Sequence, residues 1–149
     1  MEFQKDLKLG KSYETLFIET YLKNAKEINH VDGKFSLYDI LADDIKYEVK
    51  SDRQTHRTKN VCIEYLCSDK HSGIGITEAD FYAYYVIRPD NKHDLYVVPT
   101  DYIKNLIAAQ KYSRDINGGD GYRAKMYLFD LDYFVDFLVN EAELLAPPT

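Results

Sequence analysis

Tryptophan is absent from this 149-residue chain, and cysteine, methionine and proline number only two, two and four. Two cysteines cannot staple a fold, and Cys62 and Cys67 match no paired metal-ligand motif. Both read as reduced core or edge thiols of a cytosolic protein. The histidines, His30, His56, His71 and His93, lack the mutual spacing of a zinc site. No apolar run approaches the roughly 20 residues that a membrane-spanning helix needs, and the opening MEFQKDLKLGKSYE has no apolar leader segment. Positive charge is also short: 19 Lys and Arg against 25 Asp and Glu leave a formal net charge of −6. That excludes a generic polybasic nucleic-acid binder, but not an enzyme whose acidic site is offset by divalent cations. The expectation is a soluble, intracellular protein of the cytoplasm (the host cytoplasm if phage-encoded) with no membrane partner.

What the chain does have is 14 Tyr and seven Phe, ordinary apolar and charged fractions, and a length suited to one domain over 1–149. Helical spacing of apolar residues runs from about Lys11 to Ile28, with Ser12 as a candidate cap. KFSLYDI and DIKYEVK read as two strands joined in a hairpin at LADD, VCIEYL as a third and ADFYAYYVI as a fourth. RPDNKHD is a turn before the strand LYVVP, and TDYIKNLIAAQ reads as a helix capped by Thr100. INGGDG breaks the chain before the strand YRAKMYLFD, and LDYFVDFLVNEAEL reads as an amphipathic closing helix. This order predicts an α/β fold, with a core over about 11–88 and a C-terminal extension over about 89–145.

The chemistry concentrates in YDILADDIKYEVKSDRQTHRTKN. Lys46, Glu48 and Lys50 alternate on one strand face. If the hairpin loop is even and centred on Ala42–Asp43, Asp39 stands opposite Lys46 and diagonal to Glu48; an odd loop reverses that parity. Glu14 falls within the apolar face of the first helix, where a carboxylate must be paired, protonated or aimed at a cation. Carboxylate oxygens suit Mg²⁺ or Mn²⁺, and a neighbouring lysine, here Lys50, suits a phosphate or its attacking hydroxide. Metal-assisted phosphodiester hydrolysis is the reaction these groups fit best.

The frame Asp39-x8-Glu48-Val49-Lys50, after a helix bearing Glu14 and before a third strand, resembles the PD-(D/E)XK nuclease superfamily. Asn60–Tyr65, Ser72–Ile74 and Thr77–Asp80 extend the likeness toward small phage-type or Holliday-junction-resolvase-like members. The resemblance implies a restriction-endonuclease-like αβββαβ core, a central mixed sheet flanked by helices, with a C-terminal β-α extension. It implies metal ligands at Asp39 and Glu48, with the Val49 carbonyl a third, Lys50 as catalytic lysine and Glu14 as accessory acid. Tyr38 stands where the family has proline, which keeps Asp43 and Asp44 as rivals to Asp39.

Plainer readings stand beside these. Asp39, Glu48 and Lys50 also fit a solvated strand face with a cross-strand ion pair. Arg53, His56, Arg57 and Lys59 fit either a phosphate-contacting loop or a solvated one. Glu64 reads as structural or as facing the cluster, and DFYAYYVI as a central strand or a base-stacking face. The functional expectation is an Mg²⁺- or Mn²⁺-dependent DNA endonuclease, structure-selective and resolvase-like, with a homodimer plausible because two strands need two sites. The alternative is an inactive nuclease-fold module that binds nucleic acid or a protein partner.

Overall fold

The computed structural model describes residues 13–31, 37–118, 121, 123–145 and 147. Helical residues 13–19 (α1) precede β1 (Ile28–His30), β2 (Ile40–Ala42) and β3 (Ile45–Asp52). One helical turn, α2 (Thr55–Thr58), leads into β4 (Asn60–Cys67), β5 (Lys70–His71) and a 3-10 turn over Gly73–Gly75. Then follow β6 (Phe81–Ile87), β7 (His93–Pro99), α3 (Thr100–Ala108), β8 (Arg114–Gly118) and β9 (Ala124–Asp130). A 3-10 segment, Leu131–Phe137, and the short α4 (Glu141–Leu145) close the order. No helix among the described residues is long and apolar enough to cross a membrane.

The strands form two sheets, β1-β2-β3-β6-β7 and β5-β4-β9-β8. In the five-stranded sheet β3 and β6 run parallel while every other neighbouring pair is antiparallel. The fold is therefore mixed α/β, a five-stranded mixed central sheet with helices on its flanks, consistent with the restriction-endonuclease-like architecture expected. Strand alternation sorts its side chains into two apolar layers. Phe17 and Leu22 pack on Ile40, Tyr47, Val49, Tyr85 and Leu95 on one face. On the other, Tyr82, Tyr84, Val86 and Tyr96 meet Val61, Ile63 and Phe129 of the second sheet, together with Ile103 of α3 and Phe134. Strand β6 is buried on both faces, so its apolar run is that of a central strand and offers no stacking surface to bases.

Several expectations are corrected. VCIEYL does not join the central sheet; as β4 it pairs β5 and β9 in the second sheet. The crossover from β3 to β6 thus carries a strand pair where the αβββαβ order expects a covering helix. The helical spacing expected to Ile28 ends at 19, in turns, and its last residue starts β1. Ser12 and residues 34–36 of the first expected hairpin strand lie outside the described residues; β2 starts only at Ile40. Thr100 is the first helical residue of α3, not its cap, which is Pro99. Ile116–Gly118, the start of the expected break INGGDG, belongs instead to the strand Arg114–Gly118, which pairs β9. The closing amphipathic helix is instead 3-10, with Leu138 bridging Tyr96 before α4.

Gly73 lets the crossover pass close against β4. Its φ is +48°, and a Cβ there would collide with the Glu64 carbonyl of β4. Gly73→Ala is therefore expected to lower stability by about 1–3 kcal/mol, and Phe17→Ala, which empties a fully buried site, by about 3–5 kcal/mol. Urea unfolding monitored by circular dichroism measures both.

Candidate active site

The site is built on the β2–β3 hairpin. Asp43 and Asp44 form its two-residue loop, with φ of 46° and 69°, the positive values that a type I′ turn demands. The Asp43 carboxylate accepts the main-chain amides of Lys26 (3.0 Å) and Glu27 (2.9 Å), and those bonds hold its pKa below the usual carboxylate range. Asp43 thus has a turn-locking role. The loop is even but centred one residue later than the sequence led one to expect. The register is Ala42↔Ile45, Leu41↔Lys46 and Ile40↔Tyr47. It carries Asp39 to the position beside Glu48, not opposite Lys46. Lys46 instead turns to Glu78, 3.4 Å away, and to the Tyr38 ring.

Main-chain bonds fix Asp39 on both sides: its amide donates to Tyr47 O (2.9 Å) and its carbonyl accepts from Val31 (2.8 Å). Its carboxylate Oδ2 accepts the Val49 amide at 2.8 Å. Glu48 is only 13% exposed, and its Oε1 lies 3.3 Å from Lys50 Nζ. The Val49 side chain goes to the opposite apolar layer, leaving its backbone between the two acids. On the α1 side, Glu14 Oε1 lies 3.3 Å from His30 Nε2 of β1. The half-buried helix carboxylate has found a partner, and the Glu14 charge still reaches Glu48.

Electrostatics follow from burial and crowding. Burial raises the Asp39 pKa, opposed by the Val49 amide, Lys50 and His30. Burial, partly offset by Lys50 and reinforced by Asp39 and Glu14, pushes Glu48 up to about 7. For Lys50, burial acts downward, but Glu48 and Asp39 outweigh it and leave the ammonium above its ordinary value. The lysine is a cation at neutral pH. Glu64 of β4 also acts on Lys50, and on Tyr82 of β6, so it approaches the cluster from the second sheet.

The basic residues follow β3 directly. Asp52 Oδ1 accepts the amides of Gln54 (2.6 Å) and Thr55 (3.1 Å), and its Oδ2 accepts the Tyr84 hydroxyl at 3.1 Å. Thr55, fully buried, also bonds Tyr84 at 3.2 Å. These bonds pin the turn to the strand pair that carries Lys50. Arg53, Arg57 and Lys59 are exposed around it, and His56 is half-buried.

Among the described residues, no three His, Cys, Asp or Glu side chains gather closely enough to hold a metal ion by themselves. That excludes a dedicated side-chain cage there. Asp39 and Glu48 are the two carboxylates there that could hold a Mg²⁺-type cation, with main chain, water and phosphate oxygens to complete its ligands. His30 and Tyr82 were missed by sequence reasoning. His30 sits in a segment expected to follow a helix, and Tyr82 in a run whose apolar character masks its hydroxyl.

No protein-family model matches the chain, and no curated protein aligns with it. It is similar to the solved structure of a Holliday junction resolvase from the archaeal hyperthermophile Archaeoglobus fulgidus, at 16% identity and a TM-score of 0.43. The match covers 90% of this chain and 93% of that one.

The Glu48 pKa sets a pH dependence for the metal-free protein. Its folded value, about 7, exceeds the 4.5 of a free glutamate, so the fold retains a proton that the unfolded chain releases. The stability this contributes is fully present below about pH 4.5 and is lost as the pH rises through about 7. In EDTA, Glu48→Gln should match the wild type in Tm near pH 4 and exceed it at pH 8, measured by scanning calorimetry.

Proposed function

We propose that this chain is a divalent-cation-dependent nuclease that hydrolyses DNA phosphodiester bonds. The observation that carries this reading is the hairpin register, which sets Asp39 beside Glu48 with Lys50 Nζ 3.3 Å from the Glu48 carboxylate. Asp39 and Glu48, with the Val49 carbonyl, would hold Mg²⁺ or Mn²⁺, which supplies charge for the phosphate and acidifies its bound water. Lys50, kept protonated by its two acidic neighbours, serves as a hydrogen-bonding cation toward the charge that grows on phosphorus, not as a proton acceptor. Glu14 is the accessory acid, acting on Glu48 across the edge where it meets His30. Arg53, His56, Arg57 and Lys59 contact the DNA backbone, which sets register on the duplex without reading sequence. Structure-selective, resolvase-like cutting suits a chain of this size, with a homodimer supplying two sites for two strands.

The test is incubation with a four-way DNA junction, single strands and plain duplex, in Mg²⁺, Mn²⁺ or EDTA. Cutting should need the cation, and Glu48→Ala and Lys50→Ala should each slow it by at least about 10²-fold. Mg²⁺ should also raise the wild-type Tm at pH 8 but not that of Glu48→Ala. Cleavage that survives both substitutions removes the site from the reaction. Binding without cleavage on every substrate supports instead the inactive nuclease-fold module.

A further inference from the structure

Tyr82 stands beside Glu48 across the parallel ladder of β3 and β6, in the register Glu48↔Tyr82. It is 2% exposed, and its ring packs with Val61 and Ile63 of the second sheet. Its hydroxyl is buried and meets no hydrogen-bond partner among the described residues. Tyr84, two residues on and sharing the same face, is the contrast: its hydroxyl bonds both Asp52 and Thr55. A buried hydroxyl without a partner costs about 1–3 kcal/mol, and phenylalanine fills the same space without that cost. The Tyr82 oxygen therefore makes sense where an acceptor arrives from outside the chain.

The surroundings say what kind of acceptor. The ladder sets Tyr82 next to Glu48, and burial first, then the charges of Glu48, Asp39 and Glu64, keep its phenol in the protonated, donating form. A phosphate entering among these carboxylates needs donors to its oxygens. Lys50 supplies one but already shares its ammonium with Glu48; Tyr82 supplies another with no competing partner. We propose that Tyr82 contacts the substrate, its hydroxyl donating to a non-bridging oxygen of the phosphodiester held at Asp39, Glu48 and Lys50. This rests on the nuclease reading of the same site.

Tyr82→Phe removes the oxygen and keeps the ring, so its Tm should equal or exceed that of the wild type. Its kcat on the four-way junction should fall about 10²-fold with little change in KM, the signature of a donor used chiefly in the transition state. A second readout needs no turnover. In Lys50→Ala protein carrying ¹³Cζ-tyrosine, the resonance that Tyr82→Phe deletes should shift when the uncut junction is added with Mg²⁺. A Tyr82→Phe enzyme that cuts at the wild-type rate overturns the proposal while leaving the nuclease reading intact. A wild type that cuts nothing overturns that reading. The resonance then decides for Tyr82: a shift supports the contact with bound nucleic acid, and its absence overturns it.

Discussion

The carboxylate of Asp43, bonded to the amides of Lys26 and Glu27, is the contact on which the site's geometry depends. It closes a two-residue loop in which two aspartates adopt positive φ, a conformation that L residues reach only at some cost. With the loop fixed at Asp43–Asp44, side-chain alternation leaves no freedom further along. Ile40, Ala42, Tyr47 and Val49 enter the layer under α1, while Asp39, Glu48 and Lys50 are left together on the other side. A slip of one residue would bury the charges and expose the core. The burial of Tyr47 and Val49 thus enforces the same register from the opposite face of the sheet.

The grouping is costly in isolation. Two carboxylates raised by burial, Glu48 also by the charge of Asp39, with Glu14 and Glu64 at the margin, form a cluster in which one cationic side chain does not balance the acids. Structural ion pairs are usually arranged to avoid such a surplus. Sites that bind a cation or move charge on a substrate carry one, because the ligand completes the balance. The bonds from Asp52 to the α2 turn and to Tyr84 act on the same strand. They fix an exposed basic turn against the strand that carries Lys50.

Much of the fold was legible where local pattern and environment agree. The hairpin, the parallel partner β6 and α3 all show in alternation, apolar runs or helical spacing. The misreadings share one cause. Arg114–Gly118 is a strand only because β9 offers it a ladder, and VCIEYL has the same apolar alternation whichever sheet receives it. The closing segment has helical spacing over Leu131–Phe137, but Phe134 in the core and Leu138 bridged to Tyr96 draw it into a 3-10 path.

The sequence by itself determined that Glu48 and Lys50 share a strand face, since side chains two apart always do. It also determined that a carboxylate at position 14 needs a partner. Tertiary structure alone decided which acid stands beside Glu48, because that turns on loop parity and on an Asp43 contact made across the chain. It likewise chose His30 as the partner of Glu14 and brought Tyr82 and Glu64 to the cluster. Strand order and sheet membership are set by burial summed over distant segments, and no local spacing encodes that sum.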